Sequence, residues 1–261
     1  MTPSLMEPAV PRLTVVVPCY NEAQRLDAGP LLEFAGDGAG ANILFVNDGS
    51  TDDTAGRLAE IAAARPDRVR VLSLQPNGGK AEAVRRGMRD ALDAGAATVG
   101  YLDADLSTPP RELKRIAEAL DRPGVEVAMG SRVALLGRDI ERSAVRHYLG
   151  RVFASLASLI LQARIYDTQC GAKLFRATPA LATALSQPFI SRWAFDIELL
   201  GRMLAGGGGV APLPLSAIVE VPLDTWHDIK GSKLTGVAMG RTLLELGRIG
   251  VDLAGRRRAA R

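Results

Sequence analysis

Five short apolar runs constrain this chain most: Leu13–Pro18, Asn42–Asn47, Arg68–Leu74, Ala97–Leu102 and Val125–Met129. Each has the length of one buried strand, and turn and helix signals fill the gaps between most of them. The pattern predicts helices from Asn21 to about Phe34, from the capping sequence Thr51-Asp52-Asp53-Thr54 to about Ala64, from Lys80 to about Ala94, and from Pro109-Pro110 to about Leu120. Alternation of this kind closes as right-handed βαβ units, so the expected fold is α/β, a mostly parallel sheet flanked by helices. Ligands of such sheets bind beyond the carboxyl ends of the strands. Four polar motifs, Pro18 to Glu22, Asp48 to Ser50, Asn77 to Lys80 and Asp103 to Asp105, fall at those ends and converge on one rim.

Past residue 130 the pattern changes. Leu149, Val152, Phe153, Leu156, Ile160 and Ala163 form a helical apolar stripe, and Asp167 to Phe175 reads as a polar loop entering a strand. A helix follows from Ala194 to Leu204, then a strand from Ser216 to Val221 and a last helix from about Lys233 to Leu253. Residues 1–11 are Pro-rich and read as a disordered N-terminus with neither a signal peptide nor a membrane anchor. No stretch reaches the roughly 18 apolar residues that a spanning helix needs.

Composition narrows the function. A net charge of +3 and 5% aromatic residues argue against nucleic acid as a partner. Two cysteines in no ligand spacing and two histidines, His147 and His227, make zinc a poor fit, and Cys19 and Cys170 read as buried small hydrophobes. Asp103 and Asp105 sit just past an apolar strand, where alternate residues share a face, so both carboxylates can address one ion. Hard oxygen ligands suit Mg²⁺ or Mn²⁺ carrying substrate phosphates.

In these motifs the chain resembles family 2 glycosyltransferases with the GT-A fold, and more narrowly the dolichyl-phosphate (polyprenyl-phosphate) β-glucosyltransferase branch. The segments that carry the resemblance are Val17-Pro-Cys-Tyr-Asn-Glu22, Val46-Asn-Asp-Gly-Ser-Thr-Asp52, Asn77-Gly-Gly-Lys80, Asp103-Ala-Asp-Leu-Ser-Thr-Pro109, Gly130-Ser-Arg132, Asp167-Thr-Gln-Cys-Gly171, Trp193-Ala-Phe-Asp-Ile-Glu-Leu199 and Gly231-Ser-Lys233. Together they imply a GT-A domain over 12–235, followed by an amphipathic helix and basic tail over 236–261. Ala172 departs from the pattern by standing where an aromatic is expected.

The resemblance implies an inverting transfer of glucose from UDP-glucose to polyprenyl phosphate, with Mg²⁺ or Mn²⁺ held by Asp103 and Asp105. Pro18, Tyr20, Asn21 and Glu22 would shape the nucleotide pocket, and Asp48 would accept from the base. Lys80 would approach the base or the phosphates, and Lys233 would lie near the phosphates in a flap that also holds Trp226 and Lys230. Arg132, Lys173 and Arg176 are candidates for gripping acceptor phosphate, and Arg176 reads equally as a surface arginine. Asp196, Asp105 and Arg132 form the expected catalytic set. Asp196 would position the acceptor or the donor sugar, or serve as a base toward a hydroxyl, with Glu198 as a second candidate base whose alternative is to face solvent.

Arg241, Glu245, Arg248 and Asp252 mark one face of the last helix, Met239, Leu243, Leu246 and Leu253 lie largely opposite, and Arg256-Arg257-Arg258 and Arg261 follow. Such a helix either packs on the core or lies on an anionic membrane. The latter implies a cytoplasmic protein in peripheral contact with the inner face of the membrane. Three alternatives stay open: mannosyl transfer from GDP-mannose, a hydroxyl acceptor, and a nucleotide-binding scaffold without chemistry.

Overall fold

Leu13–Cys19 (β1) and Ala41–Asp48 (β2) are buried along nearly their whole lengths, as apolar strands in the middle of a sheet covered on both faces must be. The computed structural model describes residues 13–36, 40–141, 144–227 and 236–259, and the side chains of all of these except 141–149 and 236–241. β2 is flanked by Gly29–Gly36 (α1) and Thr54–Ala64 (α2). Val69–Leu74 (β3), Lys80–Asp93 (α3), Thr98–Leu102 (β4), Glu112–Leu120 (α4) and Val127–Ser131 (β5) follow. The second half comprises Asp139–Glu141 (β6), Ala144–Leu161 (α5), Ala172–Arg176 (β7), Pro179–Ala184 (α6), Phe195–Ala205 (α7), Ile218–Pro222 (β8), Thr225–His227 (β9) and Gly236–Ala259 (α8).

Seven strands form one sheet in the order β3-β2-β1-β4-β7-β5-β8, and β6 pairs with β9 in a separate ribbon. The expected mostly parallel α/β sheet is present, with β7 as the antiparallel member between β4 and β5. That insertion is invisible in the alternation pattern, and it decides the fate of one candidate. Ala172 pairs with Leu102 at the carboxyl end of β4, whereas Arg176 pairs with Thr98 at its start. Arg176 therefore lies at the rim opposite Asp103. Its guanidinium donates to the carbonyls of Val125 and Leu120, a structural role in place of the acceptor-phosphate role expected of it.

Alternating strand residues feed two apolar layers. One joins Val16, Val99 and Tyr101 to α3, α5, α6, α7 and α8. The other joins Val15, Val17 and Phe45 to α1, α2 and α4. Leu31, Leu58, Leu113 and Ile116 are fully buried there, each worth roughly 1.5–3 kcal/mol.

Several expected elements move. The first helix begins at Gly29, not Asn21: Asn21 has φ 54°, and Pro30 suits the first turn of a helix starting just before it. Of the expected stripe on α5, Phe153, Leu156 and Ile160 pack partly buried against the core and Ala163 is buried just beyond the helix, while Val152 is exposed; among the described side chains Ala154, Ala157 and Leu161 complete the buried side. Thr242, Leu246, Ile249 and Leu253 form the buried side of α8, and Leu243 is exposed. Glu245 and Asp252 are engaged, with Ser191 and Arg256 respectively.

Candidate active site

The carboxyl ends of β1, β2 and β4 open on one cleft. Pro18, Cys19, Tyr20, Glu22, Arg25, Asp48, Lys80, Ala83, Asp103, Ala104 and Asp105 line it. Of the residues expected at the site, the structure brings Pro18, Tyr20, Glu22, Asp48, Lys80, Asp103 and Asp105 around one space.

Local chemistry explains how each is held. Asn21 takes a left-handed turn, its side-chain oxygen accepts from the Thr51 N–H, and its own N–H donates to Ser50. It stitches the loop after β1 to the loop after β2 beside the cleft. Asp52 completes the stitch by accepting from the N–H groups of Ala23 and Thr54 and from the Thr54 hydroxyl, whereas Asp53, at the N-cap position of α2, makes no side-chain cap bond. Glu22 is buried and holds Arg25 through two bonds of 2.8 and 2.6 Å. Asp48, also buried, accepts from the N–H groups of Gly78 (2.8 Å) and Gly79 (2.7 Å) and from the Asn77 amide (3.0 Å). Its carboxylate fixes the turn that starts α3.

Asp103 and Asp105 lie on a turn, not on the strand itself: β4 ends at Leu102 and the Leu106 N–H closes onto the Asp103 carbonyl. Both carboxylates still face the cleft. Lys80 reaches across to Asp103 at 2.6 Å. Burial works against the Lys80 ammonium, but Asp103, Asp196 and Asp105 together hold it above the usual lysine range. Among the described residues no cluster of three metal-ligating side chains occurs. Two carboxylates suffice for a hard dication that takes its remaining ligands from phosphates and water. Asp103 presents an oxygen to a cation already, and Gly171 packs so close to this carboxylate that a Cβ would overlap it. The residues present fit Mg²⁺ or Mn²⁺.

Behind the cleft lies a buried ionic cluster. Lys173, on β7, has no exposed surface, and its ammonium donates to Asp196 (2.6 Å) and to the Cys170 carbonyl (2.6 Å). The Tyr101 hydroxyl donates to the same Asp196 oxygen. Burial and then Asp196 push the Tyr101 phenol well above its ordinary range. Lys173 is thus committed internally, which corrects its assignment to acceptor phosphate. Tyr101 went unnoticed in sequence because a strand tyrosine reads as core; its place immediately before Leu102-Asp103 was the available signal.

Arg132 leaves the end of β5 and grips Asp167 through Nε (2.6 Å) and Nη2 (2.8 Å), with its own N–H on the same carboxylate. Its guanidinium lies 5.3 Å from the centre of the Trp226 ring. Trp226 is a buried strand residue of β9, in contrast to the expected flap; Lys230 and Lys233 lie outside the described residues. Glu198, one candidate base, is fully buried. It accepts from the Ile190 and Ser191 N–H groups and pairs with Arg202 at 2.6 Å, so it does not face solvent. Both cysteines are buried and free, and burial followed by Glu22 pushes the Cys19 thiol up to about 12.

Known proteins resemble this arrangement. The Glycosyl transferase family 2 model matches residues 14–181. The dolichyl-phosphate beta-glucosyltransferase of Drosophila melanogaster is 36% identical over 92% of this chain and 76% of its own length, and that of Homo sapiens is 32% identical over 93% and 76%. A polyprenol monophosphomannose synthase from Mycolicibacterium smegmatis is 29% identical over 92% and 87%. Among solved structures, glucosyl-3-phosphoglycerate synthase from Mycobacterium tuberculosis with UDP superposes at a TM-score of 0.64, with 21% identity over 91% of this chain and 79% of that one. Its complex with Mn²⁺ and UDP-glucose gives 0.62, with 19% identity over 94% and 78%. These likenesses establish the GT-A fold.

Proposed function

The chain belongs to the family 2 glycosyltransferases, and from that premise we propose that it moves glucose from UDP-glucose to the phosphate of a polyprenyl (dolichyl-type) lipid, giving polyprenyl β-glucosyl phosphate. Membership of that family also sets aside the scaffold without chemistry.

The observation that carries the acceptor class is the state of Asp196. One oxygen of this carboxylate already accepts from Lys173 and Tyr101, and Glu198 is enclosed by Arg202 and two backbone N–H groups. A hydroxyl acceptor needs a free base to take its proton. A phosphomonoester does not, because its second pKa near ~6 makes it a dianion at neutral pH. A phosphate oxygen can then attack the anomeric carbon from the face opposite the leaving nucleotide, which inverts that centre.

The chain's own contributions are positional and electrostatic. Pro18, Tyr20, Asn21, Glu22 and Asp48 form and brace the nucleoside end of the cleft. Asp103, Asp105 and Lys80 surround the place for the diphosphate, and Lys233 belongs by resemblance to the same end. Bound by Asp103 and Asp105, Mg²⁺ or Mn²⁺ would neutralise charge building on the leaving diphosphate. Arg132, neutralised by Asp167 and stacked on Trp226, is the remaining candidate for the acceptor phosphate; Lys173 acts behind it by holding Asp196.

A lipid acceptor also calls for contact with a membrane. Val152 and Leu159 on α5 and Leu243, Leu244 and Val251 on α8 are exposed, and Arg248, Arg256, Arg257 and Arg258 share α8. Among the described residues no helix is long and apolar enough to cross a membrane. Peripheral binding at the inner face of the membrane accords with both facts.

The test is transfer by purified protein with Mn²⁺ or Mg²⁺, short-chain polyprenyl phosphate and either UDP-glucose or GDP-mannose. Lipid product from UDP-glucose alone is the expected result. Product from GDP-mannose alone would move the donor assignment to the second reading, which the M. smegmatis relative favours.

A further inference from the structure

Four cations stand in or beside the cleft, and each is already matched by a carboxylate: Arg25 by Glu22, Lys80 by Asp103, Arg132 by Asp167 and Lys173 by Asp196. A nucleoside diphosphate brings two to three further negative charges, whereas Lys80 and a dication held by Asp103 and Asp105 together leave a single surplus positive charge. Among the described residues the site therefore falls one to two positive charges short of this load.

Arg192 supplies one. It is exposed and has no hydrogen-bond or ion-pair partner among the described residues. Its side chain lies across Gly79, with Cδ 3.3 Å and Nε 3.7 Å from where a Cβ of that residue would stand. Gly79 directly precedes Lys80, and its N–H is held by Asp48. The guanidinium is thus laid over the turn that joins the nucleoside end of the cleft to the Lys80–Asp103 pair.

The segment presenting Arg192 is fixed on both sides. The Ile190 and Ser191 N–H groups donate to Glu198. Ser191 accepts from the N–H groups of Trp193 and Ala194 and donates to Glu245 of α8. Trp193 packs edge-on against Phe153, with ring centres 5.1 Å apart. Every neighbour of Arg192 in this loop is tied down, and its own guanidinium is left open.

We propose that Arg192 is a donor-binding residue, its planar fork engaging the diphosphate of the nucleotide sugar beside the Gly79–Lys80 turn. The geometry suits a guanidinium, which offers parallel N–H donors to phosphate oxygens where lysine offers a point charge. This rests on the nucleotide-sugar reading given above.

The test is calorimetric titration of the full chain with UDP and UMP, and in parallel GDP and GMP, in the presence of Mn²⁺. Wild type, R192A and R192K are compared, with thermal melting as the check on folding. The expected result is at least a tenfold loss of UDP affinity in R192A, UMP affinity within about twofold of wild type, and an intermediate R192K. Equal UDP affinity in R192A and wild type would overturn the proposal. An equal loss for UDP and UMP would move Arg192 to the nucleoside and overturn it too. Unchanged UDP affinity with a raised KM for polyprenyl phosphate would assign it to the acceptor instead. Should wild type bind GDP and not UDP, the UDP reading fails, yet the contrast between GDP and GMP in R192A still decides the role of Arg192.

Discussion

Lys173 and Asp196 form an ion pair of 2.6 Å with both side chains almost wholly out of water. The pair links β7 to the first turn of α7, and Tyr101 of β4 donates into it. Three elements that come together only in the folded chain thus converge on one carboxylate at the back of the cleft. Removing one ion of a buried pair strands the other, at a cost of about 3–5 kcal/mol.

Lys173→Met is therefore expected to lower the melting temperature on the order of 10 °C, given about 2–4 °C per kcal/mol in a domain of this size. Asp196→Asn should do nearly the same. The double variant Lys173→Met/Asp196→Leu should recover most of the loss, because an apolar pair carries no stranded charge. Melting curves of the three variants decide the matter: a wild-type melting temperature in Lys173→Met would show the pair to be energetically idle. Activity of Asp196→Asn is to be compared only at temperatures where it is folded.

Asp167 yields a pH prediction. Burial raises its carboxyl, but the charge and hydrogen bonds of Arg132 outweigh burial and hold it down to about 2, against 3.8 when unperturbed. A carboxyl whose folded pKa is depressed adds stability that is present above the unfolded value and lost as pH falls through the folded one. The pair should contribute about 2 kcal/mol above pH 4, fading between roughly pH 4 and 2. Denaturant unfolding of wild type and Asp167→Asn across that window should show the wild type losing stability more steeply. Parallel curves would refute the assignment.

Two glycines separate function from folding. Gly171→Ala places a Cβ against the carboxylate of Asp103, the movable end of a partly exposed side chain. The fold should survive with a near-normal melting temperature, while transfer falls at least about tenfold as Asp103 is displaced from its place in the site. Gly100→Ala instead drives a Cβ into the Lys173 carbonyl on the adjacent strand, where nothing can swing aside. Overpacking of this kind costs about 1–3 kcal/mol or more, so a melting point well below that of Gly171→Ala is expected. The reverse order would contradict the register of β4 against β7.

Much of this was legible in sequence because local patterns encode it. Apolar strand runs placed the six parallel strands, β1 to β5 and β8, and the motifs at the ends of the first four brought Asp48, Lys80, Asp103 and Asp105 around one cleft. What was not legible depends on long-range pairing. Nothing local marks β7 as antiparallel, so Arg176 was assigned to the wrong rim and Lys173 to the wrong partner. Arg192 escaped because an arginine four residues before Asp196 has no motif of its own; only the fold lays it over Gly79. Trp226 looked like loop because β9 is three residues long and pairs with the equally short β6.

Asp105 allows the metal assignment to be tested apart from the Lys80 pair. Asp103 is tied to Lys80 as well as to the proposed ion, so Asp103→Asn changes two interactions at once. The Asp105 carboxylate accepts only the Ser107 N–H among the hydrogen bonds described, and Asp105→Asn keeps an oxygen to receive it. Loss of one charge-stabilising group at a departing anion typically costs 10²–10³ in rate. Asp105→Asn should therefore lower kcat by about that factor and raise the Mn²⁺ concentration for half-maximal activity, with the melting temperature unchanged. A chelator should abolish wild-type transfer and added Mn²⁺ or Mg²⁺ restore it. If Asp105→Asn kept both its rate and its metal requirement, the ion would have to be held elsewhere, and the cleft would have to bind the diphosphate through Lys80 and its neighbours alone.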